Sequence, residues 1–276
     1  MDPLGLRKGI RFSHLFILFL VIVTVIQFKL PIVSSQAPIL KSRFVHGDIQ
    51  LDPASLVWNE TPVLVMPLSG QVVAFPKWPD PGIKSIEARS VNNGKEIAFM
   101  LTWRDSTKSD KVTMEKFRDG VALQFPVKSE TPFFCMGQAD SYSNIWHWKA
   151  DWQTDIDKIK AEREGGTKEE PKSGDVRKFE LIPMRSTPVE DLIGGGFSTL
   201  TTKKIQAEIS GNGVWEDGVW RVVFKRSMFT NGIYDVQLNP GRVETTAFAV
   251  WDGERKERDG MKAVSSWVQM IIERGS

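Results

Sequence analysis

The one cysteine of the chain, Cys135, stands directly before Met136 in the run FFCMG, residues 133–137. Such a pair offers three chemistries: a thiolate nucleophile, a thioether metal donor, or plain core packing. Nucleophilic catalysis needs a base beside the thiol. His147, inside NIWHWKADW at 144–152, could serve, but nothing else in the sequence orients the two. The other histidines, His14 and His46, lie towards the N-terminus, so a zinc or copper centre lacks its usual set of ligands. A single cysteine also excludes an intrachain disulfide, a four-cysteine iron–sulfur cluster and covalent C-x-x-C-H attachment of haem. No P-loop is present, and GDIQLD at 47–52 lacks the companion glycines of a dinucleotide fingerprint. This set of residues describes a chain without a catalytic centre of its own.

The remaining chemistry is that of soft donors in an aromatic setting. The chain has 10 Trp, 16 Phe and 9 Met, a mixture suited to a large flat hydrophobe such as haem. Haem iron accepts thioether sulfur, imidazole nitrogen or a neutral amine, and two protein ligands leave no open position, which favours electron transfer over oxygen chemistry. Met136, with Gly137 behind it, is the thioether candidate, and core filling is its ordinary alternative. In VWRVVFKR (219–226), Lys225 shares a face with Val223, opposite Trp220, Val222 and Phe224. An amine bound to iron must lose a proton, which burial and the metal's charge both promote. The alternative is an edge-strand lysine in water. His147 competes as a nitrogen ligand, Met228 is a further donor near Lys225, and Trp146 and Trp148 could wall a pocket or simply fill a core.

These residues need a scaffold, and the sequence describes a β one. With 276 residues, 41% hydrophobic, the chain can bury one large core, and a formal charge of +2 supplies no field for nucleic acid. Arg7, Lys8 and Arg11 precede the apolar run LFILFLVIVTVI (15–26), the signature of an export signal or anchor over residues 1–37 with the remainder outside, in the periplasm or its equivalent. Beyond about residue 40, short apolar runs alternate with turn residues. Asn92-Asn93-Gly94 predicts a hairpin leading into EIAFMLTW, where Ile97, Phe99, Leu101 and Trp103 share a core face. A charged insertion at about 153–180 interrupts the pattern, with a short helix expected over 156–161. The whole predicts an all-β, antiparallel sandwich spanning 38–276.

Taken in order, FFCMG, NIWHWKADW, GVWEDGVWRVVFKR, TAFAVWDG and SSWVQM resemble the haem-binding γ subunits of exported molybdenum enzymes related to ethylbenzene dehydrogenase, dimethylsulfide dehydrogenase, chlorate reductase and nitrite oxidoreductase. The resemblance runs from about DPASLVWNE (52–60) to the C-terminus. It implies a sandwich like that of carbohydrate-binding modules, holding one b-type haem between Met136 and Lys225, with Trp146, His147 and Trp148 in the pocket. It further implies a non-catalytic electron-transfer subunit whose partners are an iron–sulfur β subunit, a molybdenum-containing α subunit and a cytochrome c or other carrier. The insertion and the N-terminal run lean towards the nitrite oxidoreductase type. The competing expectation is a non-redox module that stacks carbohydrate on exposed Trp146, Trp148 and Trp251.

Overall fold

Strand alternation and turn chemistry produce two packed β layers. The computed structural model describes residues 38–128, 136–138, 140–164, 185–196, 199–204 and 208–275. Residues 1–37, read above as an export signal or anchor, Cys135 and most of the charged insertion lie outside that set. In chain order the strands are β1 (Ile39–Phe44), β2 (Leu64–Pro67), β3 (Ser69–Gly70), β4 (Ser85–Asn92), β5 (Glu96–Arg104), β6 (Gly120–Pro126) and β7 (Ser143–Lys149). Helix α1 (Ala150–Glu164) follows, then β8 (Val189–Gly194), β9 (Leu200–Thr202), β10 (Ile209–Glu216), β11 (Val219–Ser227), β12 (Val243–Trp251), β13 (Ala263–Val264) and β14 (Val268–Ile272). Pro38–Ser276 forms one compact unit.

The strands join in the order β10-β11-β5-β4-β1-β14-β12-β6-β7-β8-β9. The two layers are continuous through β12. Its first residues, Val243 to Thr246, pair with β14, and its later ones, Ala247 to Trp251, pair with β6 in the other layer. Most pairings are antiparallel, but β1 runs parallel to both β4 and β14. The predicted hairpin joins β4 to β5, with Gly94 at φ +81°, a region that costs glycine nothing.

Between the layers the expected core face is realised. Ile97, Phe99, Leu101 and Trp103 from one layer meet Val121, Leu123, Phe125, Trp146 and Trp148 from the other. Trp103, Trp148 and Trp220 pack as a cluster, Trp148 and Trp220 with ring centroids 4.9 Å apart, and Phe99, Phe125 and Trp146 form a second. Trp148 lies so close to β10 that a Cβ on Gly213 would fall 2.3 Å from its ring. Only a bare backbone fits there.

Helix α1 is longer than the sequence pattern suggests and starts directly at the end of β7. Its inward positions, Ala150, Gln153 and Ile156, fall on its first two turns. Gln153 secures that end, its Oε1 accepting from Trp148 Nε1 (3.2 Å) and from the Gly213 amide (2.9 Å). Beyond Ile156 the helix is almost wholly charged and exposed, so its extent rests on propensity rather than on an apolar stripe. Among the described residues no helix is long and apolar enough to cross a membrane.

Candidate cofactor site

The outer face of the β12-β6-β7-β8 layer forms the floor of a cavity of about 920 Å³, at the upper end of the roughly 300–1,000 Å³ typical of cofactor pockets. Alternation decides which side chains reach it. On β7, Ile145, His147 and Lys149 face the cavity while Trp146 and Trp148 point between the layers. Ala122 on β6 and Ala247 and Ala249 on β12 contribute small side chains, so the centre of the floor is low and apolar. Trp251 and His147 stack across it with centroids 4.4 Å apart and planes 25° from parallel.

Met136 reaches this cavity from the long β6–β7 connection. Its φ of +79° is unusual for a residue with a side chain, and such conformations persist where their surroundings enforce them. Those surroundings are two close glycine contacts: the Met136 carbonyl accepts from the Gly196 amide (3.0 Å), and a Cβ on Gly137 would meet the Gly194 carbonyl at 2.4 Å. The left-handed turn therefore fixes where the thioether projects. Facing it is Lys262, which immediately precedes β13; its Nζ lies 3.7 Å from Met136 Sδ and 5.0 Å from the Trp251 ring. Lys262 is 7% exposed.

The donor chemistry of this pair fits haem. Lys262 Nζ donates to Met136 Sδ at 3.7 Å, so a nitrogen and a thioether sulfur, both ligand types that haem iron accepts, meet at one place in the cavity. Val72, Val73, Phe75, Val112 and Leu200 stand exposed around the same cavity, 84% for Phe75, and a flat apolar occupant would cover them. At one side Lys149 pairs with Glu190, and the rings and cations continue outward as Lys149 and Arg185 contact Trp152 at 4.1 and 3.9 Å. Burial lowers the pKa of Lys149, and the Glu190 carboxylate opposes that shift.

Several residues singled out from sequence lie elsewhere. Lys225 is on the outer face of the other layer: it sits opposite Ala98, its Nζ donates to the Ile49 carbonyl (3.1 Å), and Glu96 is 3.3 Å away. Its face is apolar because the segment carrying Val45, Leu51 and Val57 packs over Val223, Ala98 and Met100 there. Met228 is fully buried in the inter-layer core. Trp146 and Trp148 are also fully buried, and Trp251 is only 8% exposed and stacked on His147, so these three offer no open platform for a sugar ring. Of the pocket residues expected from sequence, Met136 and His147 are brought together in the cavity. They are joined there by Lys262, which the sequence reading does not single out although it lies between Gly260 and the SSWVQM run, with apolar Met261 and Ala263 as neighbours.

His147 is held neutral. Burial is the main cause, and the positive charges of Lys149, Arg118 and Lys262 add to it, so its pKa lies well below 6.5. The unfolded chain therefore takes up a proton that the folded chain refuses, and this residue's contribution to stability is lost as pH falls below about 6.5. Replacing it by phenylalanine should flatten the acid side of the domain's stability profile, measured by urea unfolding between pH 7 and pH 5. An unchanged slope would mean that His147 is not the group being titrated.

Residues 55–263 match the family model described as ethylbenzene dehydrogenase. A protein of Haloferax mediterranei named as a respiratory nitrate reductase heme subunit is 26% identical over 78% of this chain, and this chain spans 66% of that relative, just under two-thirds. The chlorate reductase subunit gamma of Ideonella dechloratans is 27% identical, with 84% of each chain covered. The dimethylsulfide dehydrogenase subunit gamma of Rhodovulum sulfidophilum is 25% identical over 79% of this chain and 73% of its own. A family 9 carbohydrate-binding module from Caldicellulosiruptor kristjanssonii, solved in complex with cellotriose, superposes with a TM-score of 0.44 at 6% identity, covering 86% of this chain and 95% of that one. The family match begins in the segment that covers the Lys225 face and ends one residue past Lys262, taking in both Met136 and Lys262: the chain belongs to the ethylbenzene dehydrogenase family.

Proposed function

We propose that this chain is the exported γ subunit of a molybdenum oxidoreductase, and that it carries one b-type haem between Met136 and Lys262. The observation that carries the proposal is the 3.7 Å approach of Lys262 Nζ to Met136 Sδ inside the apolar cavity. Bound there, haem would supply a one-electron couple without an open coordination position. The protein's own residues provide the rest. The low floor of Ala122, Ala247 and Ala249 accommodates a planar group, the glycine-enforced turn aims the thioether, and the His147–Trp251 stack closes the floor beside Lys262. Lysine coordinates only as the neutral amine, so haem binding and loss of one proton from Lys262 are coupled.

As a γ subunit it would relay electrons between an iron–sulfur β subunit, itself serving the molybdenum-containing α subunit, and an external carrier such as a cytochrome c. Support comes from the names of its relatives, a heme subunit and two γ subunits of oxidoreductases. The nitrite oxidoreductase type rests on the N-terminal run and the insertion, which fall largely outside the described residues. To test the function, the exported domain is produced with haem available and its absorption recorded oxidised and dithionite-reduced, with a pyridine haemochrome assay. A low-spin b-type spectrum near one haem per chain is expected. A folded, colourless protein that takes up no haem would overturn the proposal.

A further inference from the structure

At the end of the sandwich next to the cavity, three aspartates from separate stretches of chain converge. Asp105 opens the connection between β5 and β6, Asp119 closes it, and Asp252 follows β12; a carboxylate oxygen from each lies within 4.8 Å of the other two. All three are buried. The donors they have are neutral. Asp105 Oδ1 accepts from the amide and hydroxyl of Thr107, and Asp252 Oδ1 accepts from the Arg255 amide. Asp119 accepts from the Ser109 and Gly253 amides and from the Trp220 indole. Among the described residues none of the three makes an ion pair, and the guanidinium of Arg255 turns away to Asp80. A fourth carboxylate, Glu257, accepts from the Asp252 amide, adding to the negative charge.

One atom in the cluster is left over. Asp105 is 5% exposed, and its Oδ2 is buried with no hydrogen-bond partner. Buried charges ordinarily require pairing or a metal. Hydrogen bonds to neutral donors account for the orientation of these carboxylates and not for their charge.

We propose that Asp105, Asp119 and Asp252 bind a hard divalent cation of calcium's type, which fastens together the two loops that wall the cofactor cavity. An all-oxygen set selects against soft metals, and calcium–oxygen bonds of about 2.4 Å reach three mutually separated oxygens up to roughly 4.2 Å apart, a small closing of the 4.8 Å bound seen here. The location gives the ion a task. The loop from Asp105 to Asp119 carries Val112, Phe117 and Arg118 to the cavity wall, and the loop after Asp252 carries Arg258 and Lys262. Cation binding therefore orders the approach of Lys262 without touching it, a role independent of whether haem is the occupant.

The test uses the exported domain stripped with EDTA. Terbium stands in for calcium, and tryptophan excitation should sensitise it because the Trp220 indole is bonded to Asp119 at 3.0 Å. A saturable terbium signal of one per chain, displaced by calcium, is expected, together with a rise in the unfolding midpoint when calcium is added. Asp119→Asn and Asp252→Asn should each remove the signal and the rise. If the wild-type domain gives no saturable signal and unfolds at the same temperature with and without millimolar calcium, the carboxylates hold protons instead and the inference is wrong. A signal that survives in Asp119→Asn places the ion elsewhere and is equally fatal.

Discussion

Lys262→Ala should strip the low-spin six-coordinate signature from the haem-loaded domain, while Lys225→Ala should leave it unchanged. Residues that only support a metal's ligands already cost about 10–100-fold in affinity when lost, so removal of a residue proposed to hold the haem directly should cost more than that. Met136→Ala should act in the same way from the other side. Lys225 lies on the opposite outer face of the sandwich, held by the Ile49 carbonyl and Glu96, and its loss disturbs only those half-buried contacts, remote from Met136. Lys262→His is the discriminating rescue: imidazole would restore a low-spin spectrum with shifted bands, which a purely structural role for Lys262 would not produce. Circular dichroism of each variant separates loss of ligand from loss of fold. Haem binding intact in Lys262→Ala but absent in Lys225→Ala would reverse the assignment.

The largest stability effect should come from Trp148→Ala, at about 3–5 kcal/mol. The ring is fully buried, packs against Trp103 and Trp220, and presses on the bare backbone of Gly213. Its removal leaves a void among rings that are themselves held in place, and it deprives Gln153 of the indole N–H. For a domain of this size each kcal/mol shifts the midpoint by about 2–4 °C, so a thermal melt should fall by roughly 6–20 °C. A tryptophan displayed for stacking on sugar would cost under about 0.5 kcal/mol. A melt within a degree or two of wild type would contradict the buried position.

The β architecture is legible because period-two alternation is a direct consequence of the strand. Ile97, Phe99, Leu101 and Trp103 were assignable to one face from sequence, and that face is the core. The same rule places Trp146 and Trp148 on one face and His147 on the other. It does not say which face is interior, because both faces of β7 are covered, one by the opposite layer and one by the cavity walls. The apolar surroundings of Lys225 have a related cause: the covering segment buries Val223 on that face, and Lys225 lies there, away from Met136. Lys262 meets Met136 across 126 residues of sequence, through a left-handed turn and a loop that carry no periodicity. Contacts made by loops depend on how the scaffold folds them back, and local pattern does not encode that. The extent of α1 was hidden similarly, since its charged half packs on nothing.

The parallel placement of β1 has a mechanical meaning. Ile39 to Ser42 pair with Gln269 to Ile272 on one side, and Ser42 to Phe44 with Ser90 to Asn92 on the other, with Asn92 Nδ2 bonded to the Ser42 carbonyl where the two sets meet. A force applied through the residues that precede Ile39 would pull this strand lengthwise between two neighbours. Its hydrogen bonds would then be loaded together in shear, rather than peeled one at a time as at the end of a hairpin. The domain is thus built to resist traction at its N-terminal end far better than at an edge strand such as β9.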